Sequence, residues 1–154
     1  MLTFVFLIDR KHMKKIVFAA LIFCSSIYAQ DTKKAIFLGN SYTGVNNLPN
    51  LIKQCALSVD DTLIFSANTP GGYTLEGHST NGTSLALINS TGWDYCILQD
   101  QSQRPSFSDS QVEAEVYPFA KKLDSIFSAN NECGETLFYM TWGRKNGDAS
   151  NCPV

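Results

Sequence analysis

The stretch Lys33–Thr43 reads KKAIFLGNSYT. Ala35, Ile36, Phe37 and Leu38 form a short apolar run between a lysine pair and Gly39, which predicts a strand buried on both faces. The run then stops. Gly39 and Gly44 bracket four polar residues, Asn40, Ser41, Tyr42 and Thr43, and a helical pattern begins soon afterwards. Strand, tight turn and helix in that order hold the Ser41 hydroxyl at the carboxyl end of a strand, with the amide dipoles of the next helix behind it. Open parallel sheets place their sites there.

Working outward, Leu48, Leu51, Ile52 and Cys55 recur at i, i+3, i+4 and i+7, one apolar helical face, with Pro49 in the permitted first turn. Asp60-Asp61 ends that helix, and Leu63-Ile64-Phe65 predicts a second short strand ending near Ala67. Asn68 to Thr74 is a loop rich in breakers, followed by a weaker helical stretch around Leu85 to Ile88. Tyr95 to Gln99 reads as a third buried strand and Asp100 to Ser108 as a polar loop. Ser110-Gln111-Val112-Glu113 has the form of a capping box. Val116, Phe119, Ala120, Leu123, Ile126 and Phe127 then line one helical face, with a kink expected at Pro118. Thr136 to Met140 is the fourth strand, followed by Trp142-Gly143-Arg144. Strands alternating with helices predict a parallel sheet covered on both faces, a three-layer α/β/α sandwich of flavodoxin-like kind.

The composition is that of one small domain: 154 residues, a net charge of −2, 44% hydrophobic and 17% charged, with no charge block. No basic stripe interleaved with aromatics is present, so nucleic acid is not an expected partner. Residues 13–29 (MKKIVFAALIFCSSIYA) carry two lysines, an apolar core from Ile16 to Phe23, then small residues ending at Ala29. That is the form of a secretory signal peptide, with Met13 competing with Met1 as the start. The apolar core is shorter than the ~20 residues a bilayer span needs, so no membrane attachment is expected once the leader is removed. Cys24 would suit a lipoprotein, but Phe23 before it argues against lipidation, and cleavage after Ala29 is the better reading. Residues 1–29 are therefore taken as leader and 30–154 as the domain, exported to the periplasm or beyond. Disulfides persist there, and Cys55, Cys96, Cys133 and Cys152 remain. Cys96, inside an apolar run, reads as a small core residue; Cys152 is a candidate partner for Cys133 or for a thiol outside this sequence, and the pairing of Cys55, Cys133 and Cys152 stays open. Their spacings match no zinc pattern, and no metal or cofactor is expected.

Three blocks, in order and at strand ends, carry a resemblance. Gly39-Asn40-Ser41-Tyr42-Thr43 resembles the first block of the SGNH, or GDSL-type, serine hydrolases. Gly71-Gly72-Tyr73-Thr74 is similar to the second, with Gly72 the closer match to the glycine whose amide helps hold an oxyanion. Leu98-Gln99-Asp100-Gln101-Ser102 stands where typical members have Gly-x-Asn-Asp, with glutamine in place of the asparagine donor, as in some carbohydrate-ester relatives. Gln101 aligns best and Gln99 is the alternative. The resemblance covers Ala35 to Ser102 and implies acyl transfer: Ser41 as nucleophile, with the Ser41 and Gly72 amides and the Gln101 side chain as oxyanion donors. The implied substrate is an acyl or acetyl ester of a carbohydrate, with short-chain lipid esters also open. Oligomeric state is not legible.

The same resemblance implies an Asp-x-x-His block that supplies the general base. No such block occurs in these residues, whose only histidines are His12 and His78. His78 follows the glycine block and reads first as structural, second as a substitute base. The sheet also has one strand fewer than the resemblance implies. The expectation is a truncated domain lacking its last strand and helix, inactive without the missing histidine. Two non-catalytic readings compete: a flavodoxin-like module using Gly39 to Gly44 as a phosphate or nucleotide cradle, and a glycan-binding protein that keeps the cleft without the base.

Overall fold

The computed structural model describes residues 30–141. The leader, Met13, Cys24, Trp142-Gly143-Arg144 and Cys152 lie outside the described residues. Four strands, β1 (Thr32–Leu38), β2 (Thr62–Asn68), β3 (Tyr95–Leu98) and β4 (Glu135–Phe138), form an all-parallel sheet in the order β2-β1-β3-β4. The connections are helical. A single turn, α1 (Ser41–Gly44), and a 3₁₀ turn (Val45–Asn47) lead into α2 (Leu48–Leu57). Between β2 and β3 lie α3 (Leu75–His78) and α4 (Gly82–Ile88). Between β3 and β4 come a 3₁₀ turn (Arg104–Ser106), α5 (Asp109–Glu115) and α6 (Tyr117–Asn130). This is a mixed α/β fold of flavodoxin-like kind, as the alternation of periods predicts.

The strand β1 lies inside the sheet because its apolar run can be buried on both faces. Ile36 and Leu38 pack with Cys96 and Leu98 of β3, Ile88 of α4, and Leu123 and Phe127 of α6. Ala35 and Phe37 point the other way, against Leu63 of β2, with Ala56 of α2 packed on them. The second cluster is the thinner one. Among the described residues Ala56 is its only helical member, and the expected apolar face of α2 is not buried: Leu51 and Ile52 are 50% and 40% exposed, and Cys55 is exposed. Leu48, Ile52 and Ala56 instead form one wall of an apolar groove of about 440 Å³ floored by Phe37 and Ile97. Beyond it β4 is paired on one side only among the described residues, with Leu137 and Phe138 45% and 61% exposed.

Two local expectations are corrected. The helix cap lies at Ser108 rather than at Ser110: the helix begins at Asp109, and Ser108 Oγ donates to Gln111 Oε1 (3.0 Å) instead of capping a backbone N–H. At Pro118 the chain does not kink within one helix but starts another, α6. Val116 leaves ideal helical geometry (φ −115°), and Pro118 occupies the first turn, where its missing N–H costs nothing.

Candidate functional site

Gly39 must be glycine because of what crowds it. A Cβ there would lie 2.8 Å from Gln99 Oε1 and 2.5 Å from Thr43 Oγ1. The Gln99 side chain, from the residue after β3, reaches under the first loop. Its Oε1 accepts from the Asn40 N–H (3.0 Å) and from Thr43 Oγ1 (2.9 Å), while its amide nitrogen donates to the Asp100 carbonyl. Gln99 is buried and both ends of its amide are engaged. It therefore supports the turn rather than serving a substrate, and of the two glutamines Gln101 is the one left to act as a donor.

Asn40, which sequence reasoning treated only as part of a motif, is the joint of the site. Its Oδ1 caps α1 by accepting from the Tyr42 N–H (3.1 Å). Its Nδ2 donates to the carbonyl of Tyr73 in the second loop (2.9 Å) and to that of Asp100 in the third (3.3 Å). One buried side chain thus ties the loops after β1, β2 and β3 together, bringing the Ser41, Gly72 and Gln101 segments to one end of the sheet. A burial pattern cannot signal this. The residue type could have, because an asparagine between Gly39 and Ser41 offers two donors and one acceptor to its surroundings.

Ser41 is exposed at the first position of α1. The Asn40 cap and carbonyl use the amides of Tyr42, Thr43 and Gly44. The Ser41 N–H and hydroxyl have no partner among the described residues. The second loop forms a turn closed from the Tyr73 N–H to the Pro70 carbonyl (3.3 Å), with Gly72 at its third position and φ +69°. That backbone needs glycine, and nothing lies within 4 Å of where a Cβ would be. The Gly72 amide likewise has no partner among the described residues. Gln101 is half-buried; its Oε1 accepts from the Gln103 N–H (2.8 Å), leaving its Nε2 with a single long contact of 3.5 Å to Gln103 Oε1. The three expected donors are thus a backbone N–H, a second backbone N–H on a glycine turn, and a side-chain amide whose donor end is largely uncommitted.

His78 is not placed to act as a base. It is buried, its Nε2 meets the Gly39 carbonyl at 2.9 Å and its Nδ1 meets Ser84 Oγ at 2.7 Å. A carbonyl only accepts, so Nε2 carries the proton and Nδ1 receives the Ser84 hydroxyl proton. Asn68 Nδ2 completes the chain by donating to Ser84 Oγ (2.8 Å). Burial lowers the pKa of the ring, opposed by the bond to the Gly39 carbonyl. The imidazole is neutral scaffolding beneath the Ser41 loop, in line with its first reading.

Asp100 is buried beside these loops, its Oδ1 accepting from the Leu75 and Gln101 amides. Among the described residues no group of three or more His, Cys, Asp and Glu side chains could hold a metal ion, and no helix is long and apolar enough to cross a membrane. Comparisons with family models, with curated proteins and with solved structures each return no match.

Proposed function

We propose that this protein is a serine esterase of the SGNH, or GDSL-type, kind. What supports the reading is the union of the three strand-end loops through Asn40, with an exposed serine in the first and uncommitted N–H donors in all three. In the reaction Ser41 Oγ attacks the ester carbonyl carbon and gives its proton to a base. The carbonyl oxygen, now anionic, is held by the Ser41 and Gly72 amides and Gln101 Nε2. The C–O bond to the leaving alcohol breaks, the alcohol takes the proton, and water releases the acid from the acyl-serine by the same steps. Removing one such donor typically costs on the order of a hundredfold in rate.

With both nitrogens of His78 engaged, that ring is not the base; the resemblance implies a histidine of an Asp-x-x-His block in the role, and no such block occurs in these 154 residues. The leader-like residues 13–29 favour an exported enzyme, and with the glutamine variant of the third block they point to acylated carbohydrate as substrate. The phosphate-cradle alternative is disfavoured by α1 itself, whose Tyr42, Thr43 and Gly44 amides already bond to Asn40.

The experiment is fluorophosphonate labelling of the full-length protein, read by mass spectrometry. An adduct on Ser41 that disappears in Ser41→Ala is expected. Labelling that persists on another serine would overturn the assignment. A co-purifying nucleotide, or glycan binding that survives Ser41→Ala with no hydrolysis, would select one of the non-catalytic readings.

A further inference from the structure

Asp100 is buried, 7% exposed, between the second and third loops. One carboxylate oxygen does two tasks: Oδ1 accepts the Gln101 N–H at 2.7 Å and the Leu75 N–H at 3.1 Å. Leu75 opens α3, three residues after Gly72, and Gln101 carries the side-chain donor. The Asp100 carbonyl meanwhile receives Asn40 Nδ2, from the loop that holds Ser41. Asp100 is thus bonded to all three loops. Its other oxygen, Oδ2, is buried with no hydrogen-bond partner among the described residues. Such an atom is costly to keep in a folded protein.

We propose that Asp100 is a positioning residue for the esterase site, its carboxyl group locking the Gly72 loop to the Gln101 loop so that the two oxyanion donors are set as one unit. This rests on the serine esterase reading given above. Both protonation states keep the lock, with different strength. With Oδ1 occupied by two N–H donors, a proton enters on Oδ2, and the two bonds change from charge-assisted to neutral. Burial raises the pKa of this carboxyl, the two amide bonds oppose that, Arg104 lowers it and Glu76 raises it. Among the described residues those are the charged groups acting on it, Arg104 from the 3₁₀ turn and Glu76 from α3. Arg104 is itself engaged by Glu76 (3.3 Å) and by the Glu115 carbonyl (3.0 Å), so it does not neutralise Asp100 outright.

The test needs no turnover. In ¹⁵N-labelled protein titrated with acid, the amide resonances of Leu75, Gln101 and Gly72 should shift together, with one midpoint above the usual aspartate value of about 3.9. In Asp100→Asn, which keeps an acceptor oxygen for both amides, that shared transition should vanish while the spectrum stays folded. In Asp100→Ala, hydrogen exchange at the Leu75 and Gln101 amides should quicken on the order of tenfold, the equivalent of one net hydrogen bond, with Ile36 in β1 unchanged. Separate midpoints for Leu75 and Gln101, a Gly72 amide that ignores the transition, or a transition that survives Asp100→Asn would overturn the proposal. Failure of the esterase reading is seen elsewhere, as absence of labelling at Ser41, and does not alter these spectra.

Discussion

The imidazole of His78 donates from Nε2 to the carbonyl oxygen of Gly39 across 2.9 Å, fixing the backbone two residues before Ser41. Because that ring is buried and neutral, its pKa is lowered from 6.5. Below about pH 6.5 the unfolded chain takes up a proton that the folded chain resists. The stability contributed by the neutral ring is therefore full above that value and lost as pH falls from it. Thermal melts should show a decline as pH falls below about 6.5, and His78→Asn should flatten that slope. The variant should itself be weaker by about 1–3 kcal/mol at neutral pH, because Ser84 and the Gly39 carbonyl lose a fitted partner. An unchanged slope in the variant would show that another group controls it.

Asn40→Asp separates the two tasks of that residue. The carboxylate can still cap the Tyr42 N–H, but it cannot donate to the Tyr73 and Asp100 carbonyls. A loss of about 1–3 kcal/mol is expected from denaturant midpoints, and about 2–4 kcal/mol for Asn40→Ala, which also removes the cap. Equal losses in the two variants would mean that the loop ties contribute nothing beyond the cap.

Gly72→Ala should cost about 1–2 kcal/mol through its left-handed backbone alone, since no atom lies within 4 Å of the added methyl. Gly39→Ala should cost more, because its methyl would collide with Gln99 and Thr43. Urea unfolding of the two variants side by side ranks them, and the reverse order would refute the close packing of Gln99 and Thr43 against Gly39.

The thiols should differ in reactivity. Cys55 and Cys133 are exposed, whereas Cys96 is fully buried and its pKa is pushed up to about 12 by desolvation, aided by Asp124. Iodoacetamide mapping of the native protein should modify the first two and spare Cys96 until denaturant is added. Early alkylation of Cys96 would indicate that the core around β3 opens readily.

The open edge and groove carry a solubility consequence. Leu137, Phe138 and Met140 are 45%, 61% and 88% exposed along or just after β4, the edge strand of the sheet among the described residues. Phe138→Lys or Met140→Lys should raise the monomer fraction in size-exclusion chromatography, because a charge on an edge strand opposes edge-to-edge pairing. No change would mean that this edge is covered in solution.

Much of the architecture was legible along the chain, because periodicity is local. A run such as Ala35 to Leu38 can be satisfied only inside a sheet, and the spacing from Val116 to Phe127 only by a helix with one buried face. The errors occur where a neighbour decides. Leu51 and Cys55 have helical spacing but stay exposed, since little packs on that flank of α2 among the described residues. Ser110 has the form of a cap, yet the chain direction set by Phe107 and Ser108 starts the helix two residues earlier.

The site divides along the same line. A serine between a strand and a turn of helix, and a Gly-Gly pair after the next strand, are consequences of local backbone needs, and the sequence alone determined them. Which glutamine supports and which can donate, that His78 faces Gly39 and Ser84 instead of a substrate, and that Asn40 and Asp100 bind three loops into one unit were decided only by the tertiary structure. Most of these bonds join residues 25 to 60 positions apart. Their partners are selected by which strands lie side by side in the sheet, and no spacing within a single segment encodes that.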